Sequence, residues 1–136
     1  MSKMKKERKK ILWIEDEKVL INVYKYTLKE VGNCDVEFIK LGKSAIEYVK
    51  KIERGGAEKP DLIVLDILLP DIDGDVVLEE IKKSPATKDV TALVLTNYSG
   101  KQMKKKMNEQ LKADRYLVKT EWGPKKLIPL LKKILK

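Results

Sequence analysis

Histidine is absent from this 136-residue chain. That absence excludes Ser-His-Asp and Cys-His catalysis, His-ligated zinc, and a phosphohistidine made by the chain itself. Cys34 is the lone cysteine, so no disulfide can close within the chain and dithiol redox chemistry is not expected. Long apolar runs are missing as well: none approaches the roughly 20 residues of a membrane-spanning helix. The basic start MSKMKKERKK lacks the apolar stretch of a secretory signal. A soluble, cytoplasmic protein without a membrane segment is expected. Arginine is scarce, with only Arg8, Arg54 and Arg115, although lysine lifts the formal net charge to +9. Nucleic-acid surfaces favour the planar, bidentate arginine fork, so this lysine excess reads as solvated surface and not as a specific nucleic-acid site.

What is present suits one ordinary α/β domain. A hydrophobic fraction of 43% is enough to build a core rather than a disordered chain. Five short β-prone runs, Ile11–Ile14, Val36–Ile39, Leu62–Leu65, Ala92–Leu95 and Tyr116–Val118, alternate with helical patterns. Leu20, Val23, Tyr24, Thr27, Leu28 and Val31 recur at helical spacing before Gly32. Ala45, Tyr48, Val49 and Ile52 mark a second helix and Val76–Lys83 a third. Met103, Met107 and Leu111 stripe a fourth, and a fifth opens at Gly123-Pro124 with Pro129 inside it, where a bend is expected.

The first, third and fourth runs are apolar almost throughout, as central parallel strands covered on both faces must be, whereas DVEFI partly alternates like an edge strand. The expected fold is a doubly wound, five-stranded parallel sheet of order 2-1-3-4-5, flavodoxin-like, with its ligand site at the carboxyl ends of strands 1 and 3. A basic tail over 1–9 and a single domain over 10–136 are expected, with no further output domain.

The polar residues converge at that end. The first run leads into Glu15-Asp16-Glu17, the third into Asp66, the fourth into Thr96 and the fifth into Lys119. Any one of these alone reads as a helix cap, a turn or a solvated side chain. Together they gather carboxylates that repel by about 4 kcal/mol per pair at 4 Å and an effective dielectric of 20. A hard cation held by oxygen, Mg²⁺ or Mn²⁺, would neutralise them. An aspartate can be the nucleophile that forms an acyl phosphate, while Lys and Thr bind phosphoryl oxygens.

The segments IEDE at 14–17, DLIVLDILLPDIDGDVVLEEIK at 61–82, ALVLTN at 92–97 and KADRYLVKT at 112–120 resemble the receiver domain of two-component response regulators, CheY-like, from Lys10 to the end of the chain. The resemblance implies Asp66 as phosphoacceptor, with Glu15, Asp16, Asp66 and the backbone carbonyl of Leu68 as metal ligands. It implies Thr96, Asn97 and Lys119 as the phosphoryl-binding set, and Thr96 with Tyr116 as the pair that moves on activation. Pro70 and Gly74 match the loop after the phosphorylated strand. The donor would be a sensor histidine kinase or phosphotransfer protein, and the output a protein target or a homodimer bound through the helix 4–strand 5–helix 5 face. Such a domain is not an enzyme beyond assisting its own phosphorylation and autodephosphorylation.

Two positions depart from the family: Thr120 stands where Pro usually follows the lysine, and Asn97 where a small residue is commoner. The alternative function is a pseudo-receiver that binds partners without phosphorylation. An aspartate-nucleophile phosphatase fits less well, because Pro70 separates Asp71-Ile72-Asp73 from its strand. Gly42-Lys43-Ser44 lacks the earlier glycine of a P-loop, and Gly74 arrives too early for a calcium loop.

Overall fold

Alternation of side chains along each strand divides the interior into two halves. The structure is a computed structural model describing residues 7–136, and it pairs β1 (Lys9–Ile14), β2 (Cys34–Ile39), β3 (Leu62–Leu65), β4 (Thr91–Thr96) and β5 (Arg115–Val118) in the order β2-β1-β3-β4-β5. All four pairings are parallel, as the strand patterns predict. On one face Leu12, Ile14, Ile63, Leu65 and Val94 meet α2 (Gly42–Glu53) and α3 (Gly74–Lys83). On the other, Ile11, Trp13, Leu62, Val64 and Leu93 meet α1 (Lys18–Val31) and α5 (Pro124–Ile134). A strand buried on both faces has no room for a polar side chain until it ends, and that sets where the chemistry sits.

Every strand except β3 runs one or two residues beyond the apolar core read from the sequence. Lys9 and Lys10 join the ladder with β2, and Arg8 and Lys10 hold Asp35 at 2.9 and 3.0 Å. The expected tail over 1–9 is corrected at its inner end, because Lys9 is already strand; residues 1–6 lie outside those described. Gly74 opens α3, two residues earlier than expected. A side chain there would come within 2.4 Å of the Asp66 carbonyl oxygen, so only glycine lets the helix start this close to the end of β3.

The fourth helix departs most from expectation. Regular α-helix, α4, covers only Lys101–Lys105, and a π-helical turn follows over Lys106–Gln110. Met107 is fully buried, whereas Met103 and Leu111 are only partly so. The change of register coincides with the ion pair of Lys106 to Asp75 on α3 at 2.6 Å. Pro129 lies inside α5, which continues through it to bury Leu127 and Leu131.

Asp71 has a local role that explains the DIDGD segment without calcium. Its two carboxylate oxygens accept from the backbone N–H groups of Lys43 and Gly42 at 2.9 and 2.8 Å, capping α2 from a distant loop. Those bonds hold the carboxyl below its ordinary pKa. Asp71→Ala should therefore lower the melting temperature by a few degrees. A carboxyl with a depressed folded-state pKa stabilises only above its unfolded value. The gap between the two proteins should therefore be full near neutrality and close as pH falls through the depressed pKa, which thermal denaturation at several pH values measures.

Candidate functional site

Parallel registry carries two strand ends to the same level. The Asp66 N–H donates to the Ile14 carbonyl at 3.0 Å, one step beyond the pair Ile14–Leu65, so Glu15 and Asp66 leave the sheet side by side. The Lys119 N–H donates to the Thr96 carbonyl at 2.8 Å, again one step beyond the last pair. Each of these residues sits where its strand runs out of apolar neighbours.

The side chains then close on one another. The Lys119 ammonium lies 2.6 Å from Asp66 Oδ2 and 2.7 Å from Glu15 Oε1, with the exposed Glu17 at 3.9 Å. Glu15 and Asp66 are 1% and 3% exposed, so this is a buried ionic cluster and not a surface pair. The remaining carboxylate oxygens accept backbone donors: Glu15 Oε2 from the Glu17 N–H at 3.1 Å and Asp66 Oδ1 from the Leu68 N–H at 3.1 Å. Burial pushes the Glu15 carboxyl above its ordinary pKa, and the hydrogen bond from Lys119 opposes the rise without cancelling it. Burial acts against the Lys119 charge too, but the hydrogen bonds to Asp66 and Glu15 outweigh it and hold the ammonium above the usual lysine value.

Asp16, less buried, completes a group in which carboxylate oxygens of Glu15, Asp16 and Asp66 all lie within 4.8 Å of one another. Three carboxylates against one ammonium leave two net negative charges in a largely buried crevice, the charge a divalent cation cancels. The donor set is oxygen only, which suits Mg²⁺ or Mn²⁺. Leu68, expected to add its carbonyl, follows in the loop after β3 with its side chain half exposed.

Thr96 is fully buried at the end of β4, and its hydroxyl accepts from the Tyr98 N–H at 3.2 Å. Tyr116 points inward and donates its hydroxyl to the Tyr98 carbonyl at 2.5 Å. Burial raises that phenol to about 12. The two expected switch residues are thus joined through a single residue, Tyr98. Asn97 is exposed, and its side-chain oxygen accepts from the Thr120 N–H at 3.2 Å. The bond between Lys119 and Thr120 is trans, as are all peptide bonds among the described residues.

Sequence reasoning assigned Glu15 to metal alone and overlooked its bond to Lys119. A glutamate one residue beyond an apolar strand, opposite a lysine at the same level, was the available signal. It also passed over Asp75, whose Oδ2 pairs with Lys106 while Oδ1 is buried without a hydrogen-bond partner. Nothing in the sequence pattern marked that residue. No described helix is long and apolar enough to cross a membrane.

The response regulator receiver domain family matches residues 11–132. The alkaline phosphatase synthesis transcriptional regulatory protein PhoP of Bacillus subtilis is 32% identical over 128 residues, which are 94% of this chain and 49% of that protein. Across PhoP and two further curated relatives the chain spans about half their length, 43% to 56%. Among solved structures, the phosphorylated cyanobacterial phytochrome response regulator RcpA is similar with a TM-score of 0.77 at 30% identity, over 93% of this chain and 91% of that one. The Mn²⁺-bound response regulator Rcp1 gives 0.76 at 29% identity, over the same shares of the two chains.

Proposed function

The chain belongs to the family of response regulator receiver domains of two-component signalling, and on that premise we propose that it accepts a phosphoryl group on Asp66 in a metal-dependent relay. The observation that carries the reading is the buried cluster of Glu15, Asp16 and Asp66 against the single Lys119 ammonium. Glu15, Asp16, Asp66 and the Leu68 carbonyl would hold the cation, Mg²⁺ or Mn²⁺, which when bound supplies positive charge to the oxygens of the transferring group.

The protein's own residues do the rest. The Asp66 carboxylate attacks phosphorus, and the bond to the donor's nitrogen or acyl oxygen breaks as the new P–O bond forms. Lys119, already beside Asp66, balances the negative charge that arrives with the phosphoryl group. Thr96 can donate its hydroxyl to a phosphoryl oxygen while the same oxygen accepts the Tyr98 N–H, and Tyr116, held on the Tyr98 carbonyl, is linked to Thr96 through that residue. Phosphohistidine of a sensor kinase or phosphotransfer protein is the proposed donor, and a small acyl phosphate can substitute. The domain acts on no outside substrate; it assists only its own phosphorylation and the later attack of water on the acyl phosphate.

Output is a change of affinity for a protein partner. Lys101, Lys104, Lys105, Lys125, Lys126, Lys132 and Lys133 are all exposed on α4 and α5. They fit an acidic surface better than a second copy, which would set lysine against lysine.

Incubation with acetyl phosphate and Mg²⁺, followed by intact mass measurement, tests the reading. Gain of one phosphoryl group that hydroxylamine removes is the expected result. No gain at any concentration would favour the pseudo-receiver, and steady turnover of a phosphomonoester would favour a phosphatase.

A further inference from the structure

We propose that Asn97 is a positioning residue for Lys119, acting as a tether on the backbone just beyond the lysine and not as a phosphoryl contact. The tether itself is read from the resting structure; its effect on phosphoryl binding rests on the reading of Asp66 as acceptor. Lysine carries a long, flexible side chain, so setting its ammonium between two buried carboxylates requires its own backbone to be fixed. On the near side the Lys119 N–H is tied to the Thr96 carbonyl at 2.8 Å, the last backbone bond joining β4 and β5. On the far side no backbone acceptor continues the ladder, and the Asn97 side chain supplies one: Oδ1 takes the Thr120 N–H at 3.2 Å. A tight turn follows at once, with Glu121 N–H on the Val118 carbonyl and Trp122 N–H on the Lys119 carbonyl at 2.9 and 3.2 Å. Lys119 is therefore gripped by hydrogen bonds before and after it, and the second grip exists only because position 97 carries an acceptor and position 120 carries an N–H.

The tether uses the acceptor oxygen Oδ1, whereas a contact to phosphoryl oxygens would use the Nδ2–H donors of the same amide. The two roles predict different coupling. Hydrogen exchange at the Thr120 amide of the resting, metal-free protein reads the tether alone. Asn97→Ala should speed that exchange, and Asn97→Asp, which keeps an acceptor oxygen, should restore protection. Beryllofluoride titration at saturating Mg²⁺ then reads the consequence. Asn97→Ala should weaken binding about three- to tenfold, the range of one net hydrogen bond. Thr120→Pro removes the donor, and in that background Asn97→Ala should change nothing further.

An unchanged Thr120 exchange rate in Asn97→Ala overturns the proposal. So does an equal loss of beryllofluoride affinity in both backgrounds, which would make Asn97 a direct contact. If the wild-type protein bound no beryllofluoride, the acceptor reading would fail while the exchange result still decided the tether. Should Thr120→Pro fail to fold, the exchange rates of the Asn97 variants decide it alone.

Discussion

Asp66→Asn is expected to take up no phosphoryl group from acetyl phosphate, a loss of at least about 10³-fold, while the fold survives. An amide has no anionic oxygen to attack phosphorus. The fold survives because Lys119 keeps its bond to Glu15 at 2.7 Å. In the absence of metal the variant should melt higher than the wild type, since one of three mutually repelling carboxylates has lost its charge while the ammonium remains. Intact mass after acetyl phosphate treatment checks the first statement, and thermal denaturation in chelator the second. Phosphoryl gain by the variant at the wild-type rate would move the acceptor to another residue.

Lys119→Met should separate two properties that are easily confused. Phosphoryl uptake should fall by about 10²-fold or more, because the charge facing the incoming oxygens is gone. Mg²⁺ affinity should rise, because a cation no longer competes with an ammonium held at 2.6 and 2.7 Å from two of its ligands. The metal-free variant should lose about 3–5 kcal/mol of stability, the cost of leaving buried carboxylates unpaired. The sign of the pH dependence follows from Glu15, whose pKa burial already raises and which loses its opposing partner. A carboxyl with a raised folded-state pKa is best tolerated below its unfolded value and disfavoured as pH climbs through the raised one. The deficit against wild type should thus be largest near neutrality and shrink toward about pH 4.5. Calorimetric Mg²⁺ titration and urea melts across pH measure both effects. Equal falls in metal affinity and phosphoryl uptake would contradict this account of Lys119.

The fold was legible because its signals were redundant. Ile11–Ile14, Leu62–Leu65 and Ala92–Leu95 are apolar on both faces, and only a central parallel strand has two faces to bury. That pattern led to the strand order and so to the meeting of Glu15, Asp16, Asp66 and Lys119. What the sequence left unseen shares a physical cause, since bonds between residues far apart in the chain leave no periodic trace. Asp71, set aside as a calcium ligand from the position of Gly74, shows its role only once α2 starts beside it. The Asn97 oxygen meets the Thr120 N–H from another strand end. The stripe of Met103, Met107 and Leu111 is helical at any register, so it cannot announce that regular winding stops at Lys105 and that Lys106 turns to Asp75. Hydrophobic spacing specifies which face is inward and is silent on hydrogen bonds that cross between elements.

The charge account is tested most directly by the fluorescence of Trp13, which is buried in β1 two residues before Glu15 and stacked on Tyr24 with ring centroids 4.5 Å apart. The emission should be titrated with beryllofluoride in the presence and in the absence of Mg²⁺. A saturable change that requires Mg²⁺ is predicted, because the crevice must first lose its two excess negative charges. An equal response in chelator, or none at millimolar Mg²⁺ and beryllofluoride, would contradict it.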